Sequence, residues 1–146
     1  MKRMTFTVTI NAPKETVWNT LWDDATFRDW AGMIDEGTYM KGVLKEGSEV
    51  QFISSLNGYG VTSLVEKLSP NEFVSFRQMN DTIEYGEHER EKEWTGGIES
   101  YSLVEEDGIT TLTNETDVPP GLEEIFETRL PKALKRIKKL AEGKFI

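Results

Sequence analysis

Cysteine is absent from the 146 residues, which removes disulfides, thiolate nucleophiles and every cysteine-based metal site. Histidine is nearly absent, since His88 is the only one. Neither a His-pair metal site nor a triad with a second, orienting histidine can be built within one chain. Long apolar runs are missing too, and nothing approaches the roughly 18 residues that would span a membrane. Met1-Lys2-Arg3-Met4-Thr5 runs straight into alternating residues, without the apolar core of a signal peptide. The expectation is a cytoplasmic chain with no membrane span. Positive charge is in short supply, 17 Lys+Arg against 26 Asp+Glu, for a net charge of −9. A phosphate backbone repels such a chain, so no nucleic-acid partner is expected.

What is present supports a core. Apolar residues make up 37%, with four Trp, four Tyr and seven Phe, and the length predicts a single domain over 1–146. All of the acidic excess lies before residue 121. Beyond it comes a basic cluster, Lys132, Lys135, Arg136, Lys138 and Lys139. It reads as the solvated face and last turns of a helix, where cations suit the macrodipole.

Met4, Phe6, Val8 and Ile10 alternate with Thr5, Thr7 and Thr9, the period of a half-buried strand. Asn11-Ala12-Pro13 reads as a helix start with Asn11 as cap. Val17, Trp18, Leu21 and Trp22 follow at helical spacing. Asp23 or Asp24 can cap a second short helix through Trp30, closed by Gly32. From Gly37 the pattern changes to strands divided by turns: Tyr39–Leu44, a strand around Val50 and Phe52, Val61–Leu68, Phe73–Met79, Trp94–Val104 and Ile109–Val118. Asn57-Gly58 is the strongest hairpin signal, Gly96-Gly97 suggests a bulge, and residues 80–93 are polar and charged. After Pro119-Pro120-Gly121, Leu122, Ile125, Phe126, Leu130, Ala133, Leu134, Ile137 and Leu140 form one broad helical stripe. Pro131 inside it predicts a kink near 127–131, and Gly143 a stop. The order strand, two short helices, six strands, long helix is an α+β design: one curved antiparallel sheet with a helix laid across it.

Chemical motifs are sparse. His88 lies among Glu84, Glu87, Glu89 and Glu91, where carboxylates favour its charged form, but no nucleophile stands at a diagnostic spacing. The same glutamates lack the glycine-containing loop of a calcium site, so no metal is expected. Gly58/Gly60 and Gly96/Gly97 match neither a P-loop nor a dinucleotide fingerprint, and no cofactor is expected.

Thr7–Ile10 with Asn11-Ala12-Pro13, then Val17-Trp18, Leu21 and Trp30, resembles the opening of the START-like (SRPBCC, Bet-v-1-like) helix-grip superfamily. Glu99-Ser100-Tyr101-Ser102-Leu103, the Asp107-Gly108 turn, Ile109–Val118 and the terminal helix fit as well. Within that superfamily the chain is most similar to the family named for the activator of heat-shock-protein-90 ATPase homologue. It departs in having Asp24-Ala25-Thr26 where many relatives place a proline, and in the charge density of Glu84–Glu93.

The resemblance implies a curved sheet of about seven strands wrapped around the long helix, with a cavity between them for a small hydrophobic ligand. Small-ligand sites are mostly apolar clefts with few polar groups, and the aromatics can supply one. The cavity candidates are Trp30, Phe52, Phe76, Trp94, Tyr101, Leu122, Phe126 and Leu130. The primary reading is a carrier or sensor without chemistry of its own. A second is an interaction module with a chaperone ATPase as partner. A third, also implied by the superfamily, is a cyclase or aromatase using Glu99 or Arg77 as cavity-facing acid or base. Edge strands of a meander can pair between chains, which leaves a homodimer open.

Overall fold

Alternation places the first strand, β1 (Lys2–Ile10), with Met4 and Ile10 buried on its inner face. The computed structural model describes residues 1–56, 58–83 and 95–143, the backbone alone for 81–83. Two short helices follow, α1 (Lys14–Trp22) and α2 (Asp24–Ala31). Then come β2 (Thr38–Lys41), β3 (Glu49–Ser54), β4 (Tyr59–Ser69), β5 (Phe73–Ile83), β6 (Ile98–Glu106) and β7 (Ile109–Val118), before the long helix α3 (Glu123–Ala141). All seven strands join one antiparallel sheet in the order β1-β7-β6-β5-β4-β3-β2. This is the α+β arrangement expected.

Several local expectations are corrected. Asn11 does not cap α1; Pro13 occupies that position without a side-chain bond. The cap comes from afar, because Glu105 Oε1 on β6 accepts the Lys14 N–H at 2.8 Å, and Glu142 Oε2 accepts the Asn11 N–H at 2.8 Å. A carboxylate suits a helix's positive end whichever element carries it. β2 stops at Lys41 because Gly42 adopts φ 114, a region that ends an extended chain. β5 runs to Ile83 rather than Met79, since Tyr59–Thr62 on β4 continue the ladder to residues 80–83. Gly96 and Gly97 form a turn instead of a bulge: Gly96 donates to the Gln78 carbonyl at 2.7 Å, and Gln78 donates to Gly97 at 2.8 Å.

The face of the sheet turned toward the helices holds the core. Register sets Val65, Phe76, Glu99, Thr116 and Met4 side by side across β4, β5, β6, β7 and β1. Directly opposite residues share a face, and the period of two puts Tyr101 and Leu103 on that face with Glu99. Ile10, Val17, Leu21, Val50, Val74, Leu112 and Ile137 are fully enclosed.

Where β3 and β4 meet, Gly60 permits the closest backbone approach. A Cβ added there would lie 1.9 Å from the Phe52 carbonyl oxygen and 2.8 Å from Ile53 Cα. Both obstacles are backbone, so only a shift of the strand pair could relieve the clash. Gly60→Ala is expected to destabilise the fold by about 2 kcal/mol or more, read as a lower urea midpoint. An unchanged midpoint would contradict this packing.

Candidate functional site: an aromatic cavity with an inward carboxyl

The stripe of α3 is not buried evenly along its length. Leu130, Ala133, Leu134 and Ile137 are enclosed, whereas Leu122 and Phe126 are half-buried and Ile125 is exposed. The buried half rests on β1, α1 and α2. Two polar ties hold it there: Arg136 Nε and Nη2 meet Asp29 at 2.6 and 2.9 Å, and Lys138 Nζ reaches the Thr9 carbonyl at 2.7 Å. Arg136 in turn holds the Asp29 carboxyl below the usual carboxylate range. The front half of α3 therefore stands off the sheet, and a cavity of about 360 Å³ lies beneath it.

Its walls come from α1 and α2 (Trp22, Phe27, Trp30), the segment after α2 (Ile34, Asp35, Thr38), β3 and β4 (Phe52, Ser54, Tyr59, Gly60, Val61), β5 and β6 (Gln78, Glu99, Tyr101) and α3 (Leu122, Ile125, Phe126, Arg129). The rings brace one another. Trp22 meets Tyr101 edge to face at 5.2 Å between centroids and Phe76 at 5.5 Å, and Phe27 meets Phe52 at 5.8 Å. Such contacts add to burial and hold each ring in place. Trp30 Nε1 donates to the Leu21 carbonyl at 3.1 Å. Trp22 Nε1 is buried with no hydrogen-bond partner among the described residues. At the edge of the cavity Arg129 Nη1 donates to the Ile34 carbonyl at 2.8 Å, tying α3 to the segment after α2.

Of the residues expected at a cavity, Trp30, Phe52, Tyr101, Leu122 and Phe126 line this one. Phe76 and Leu130 do not: both are enclosed in the core, Phe76 behind Trp22 and Phe52, and Leu130 on the seated half of α3. Trp94 and His88 lie outside the described residues, as does Glu84–Glu93. Arg77 is not cavity-facing; its guanidinium pairs with Glu66 at 2.5 Å, on the opposite face from its neighbour Phe76. Trp22, Phe27, Tyr59 and Gln78 are lining residues that pattern reading missed.

No family model and no curated protein matches the sequence. Solved structures do match in shape. The Aha1 dimer from Colwellia psychrerythraea aligns at a TM-score of 0.73 with 19% identity, over 99% of this chain and 98% of that one. MLL2253 from Mesorhizobium loti gives 0.74 with 13% identity, over 99% and 100%. CalU16 from Micromonospora echinospora gives 0.63 with 17% identity, over 99% and 76%. The chain has the helix-grip fold.

One group inside this helix-grip cavity is out of keeping with its walls. Glu99 is half-buried and lines the cavity. Removal from water raises its pKa to about 7, opposed only in part by a hydrogen bond with Tyr101. Burial beside that carboxyl pushes the Tyr101 phenol well above its usual value, so Tyr101 stays neutral and donates. Glu99 then takes up a proton more readily in the folded protein than in the unfolded one. Its neutral form favours the fold at low pH, and that advantage is lost as pH rises from about 4.5 through about 7. Relative to wild type, Glu99→Gln is expected to gain about 2 kcal/mol between about pH 5 and about pH 8, measured by urea denaturation at each pH. A stability difference that does not change with pH would contradict the inward placement of this carboxyl.

Proposed function

We propose that this protein is a cytoplasmic carrier or sensor that binds a small hydrophobic molecule between the sheet and the front half of α3, without chemistry of its own. The observation that carries the reading is the cavity itself, about 360 Å³, walled by aromatic side chains from α1, α2, β3, β4, β6 and α3 beside several polar ones. Pockets for small ligands run from about 300 to about 1,000 Å³ and have this character. Burial of apolar surface at about 25 cal/mol per Å² supplies the affinity. Tyr101, Glu99 and Gln78 on the floor set orientation, and an acceptor on the ligand would satisfy the Trp22 indole N–H.

Glu99 supports a second reading, an acid–base enzyme of the cyclase or aromatase kind. A carboxyl that titrates near about 7 is suited to proton transfer at neutral pH. Turnover of a bound substrate, lost in Glu99→Gln, would favour it. The likeness to a protein described as an Aha1 dimer supports two further elements of the reading, a homodimer and a chaperone partner. β1 and β2 are the sheet's edges and would serve the former.

Phe126 gives the direct test, because it lines the cavity from a half-buried position on α3, where a charge is tolerable to the fold. Titration with an environment-sensitive naphthalene fluorophore is expected to show saturable uptake by wild type. Phe126→Asp should lower that affinity about tenfold or more while far-UV circular dichroism stays unchanged. Equal uptake by the folded variant would remove the cavity as the site.

A further inference from the structure

The carboxylates around the centre of the sheet differ in one respect. Asp117 on β7 has Arg3, whose Nε lies 2.9 Å away, and Glu66 on β4 has Arg77 at 2.5 Å. Both pairs sit on the face turned away from the cavity. Glu99, between them on β6, points inward. Its neighbours across the ladder are Phe76 on β5 and Thr116 on β7, and among the described residues it has a hydrogen bond with Tyr101 on its own strand. Among the described residues no cation is paired with it. The other charged or titratable groups lining the space are Tyr59 on β4, Asp35 after α2 and Arg129 on α3. Arg129 is exposed, and its guanidinium is engaged by the Ile34 carbonyl.

We propose that the cavity selects a small hydrophobic amine, its ammonium group seated against the Glu99 carboxylate and its apolar body among Trp22, Phe27, Trp30, Phe52 and Phe126. This rests on the cavity being a ligand site. The chemistry follows from the walls. A carboxylate held away from water is costly unless a positive charge and hydrogen bonds accompany it, and here the described residues provide a hydrogen bond from Tyr101 but no cation. Aromatic rings add to the attraction of a desolvated cation, whereas an anionic ligand would meet both Glu99 and a chain at net charge −9. A neutral ligand would leave Glu99 in the protonated form that its raised pKa favours at mildly acid pH.

The amine and the neutral ligand differ in their pH dependence. An alkylammonium remains charged well above neutrality, so its binding follows the ionisation of Glu99 and strengthens as pH rises. Isothermal calorimetry with 1-naphthylmethylamine and 1-naphthalenemethanol, matched in shape, separates them. The amine is expected to bind wild type at least about tenfold more tightly than the alcohol at about pH 8, and to lose about tenfold or more of its affinity at about pH 5.5. The alcohol should show no such loss. Glu99→Gln should erase the preference, bringing the amine down to the affinity of the alcohol. Equal binding of the two probes by wild type, or a preference that survives in Glu99→Gln, would overturn the amine assignment and leave the cavity reading standing. Binding of neither probe at millimolar concentration would overturn both. Should Glu99→Gln fail to fold, the wild-type pH profile decides alone, since an amine affinity that is flat from about pH 5.5 to about pH 8 contradicts the proposal.

Discussion

The rest of the molecule follows from how α3 is seated. Its apolar stripe runs from Leu122 to Leu140, but the sheet edge and the two short helices accept only the second half. Leu130, Ala133, Leu134 and Ile137 are buried there, and Arg136–Asp29 and Lys138–Thr9 hold that half in register. A helix is stiff over this length, so seating one half fixes the other. Leu122, Ile125 and Phe126 are thereby held over the sheet at a distance their own side chains do not close. The space that remains is a consequence of the packing and not of a missing side chain.

The polar floor has a similar origin. A strand period of two leaves no choice of face once Tyr101 and Leu103 are buried: Glu99 must share it. Its partners on the adjacent strands are already chosen by register, and they are Phe76 and Thr116. The carboxyl thus stands where a fold selected for stability alone would have an apolar residue. Proteins retain such groups mostly where function requires them, because the desolvation cost is otherwise uncompensated.

Much of this was legible in the sequence. β1, β7 and the long helix are written in plain alternation and three-to-four spacing, and turn chemistry separated the strands between them. The cavity was half legible. Trp30, Phe52, Tyr101, Leu122 and Phe126 could be named, yet Phe76 and Leu130 look the same in one dimension. Whether an aromatic lines a space or fills it depends on what lies opposite, here Trp22 and Phe52 against Phe76. For Leu130 it depends on which half of α3 is seated, and a uniform stripe carries no mark of that. Tyr59 and Gln78 carry no hydrophobic pattern at all; they reach the site through the β4–β5 ladder. The cap on α1 was misread for a related reason. Glu105 and Lys14 are 91 residues apart, beyond the reach of any local capping rule.

The central claim is that the space under α3 is a binding site and not an inert void. Native mass spectrometry of freshly purified protein, followed by unfolding and organic extraction, tests it most directly. The account predicts excess mass on the folded species that is released on unfolding and recovered as a small apolar compound. A folded protein that carries no excess mass and takes up none from a panel of hydrophobic amines, alcohols and acids at saturating concentration would contradict it.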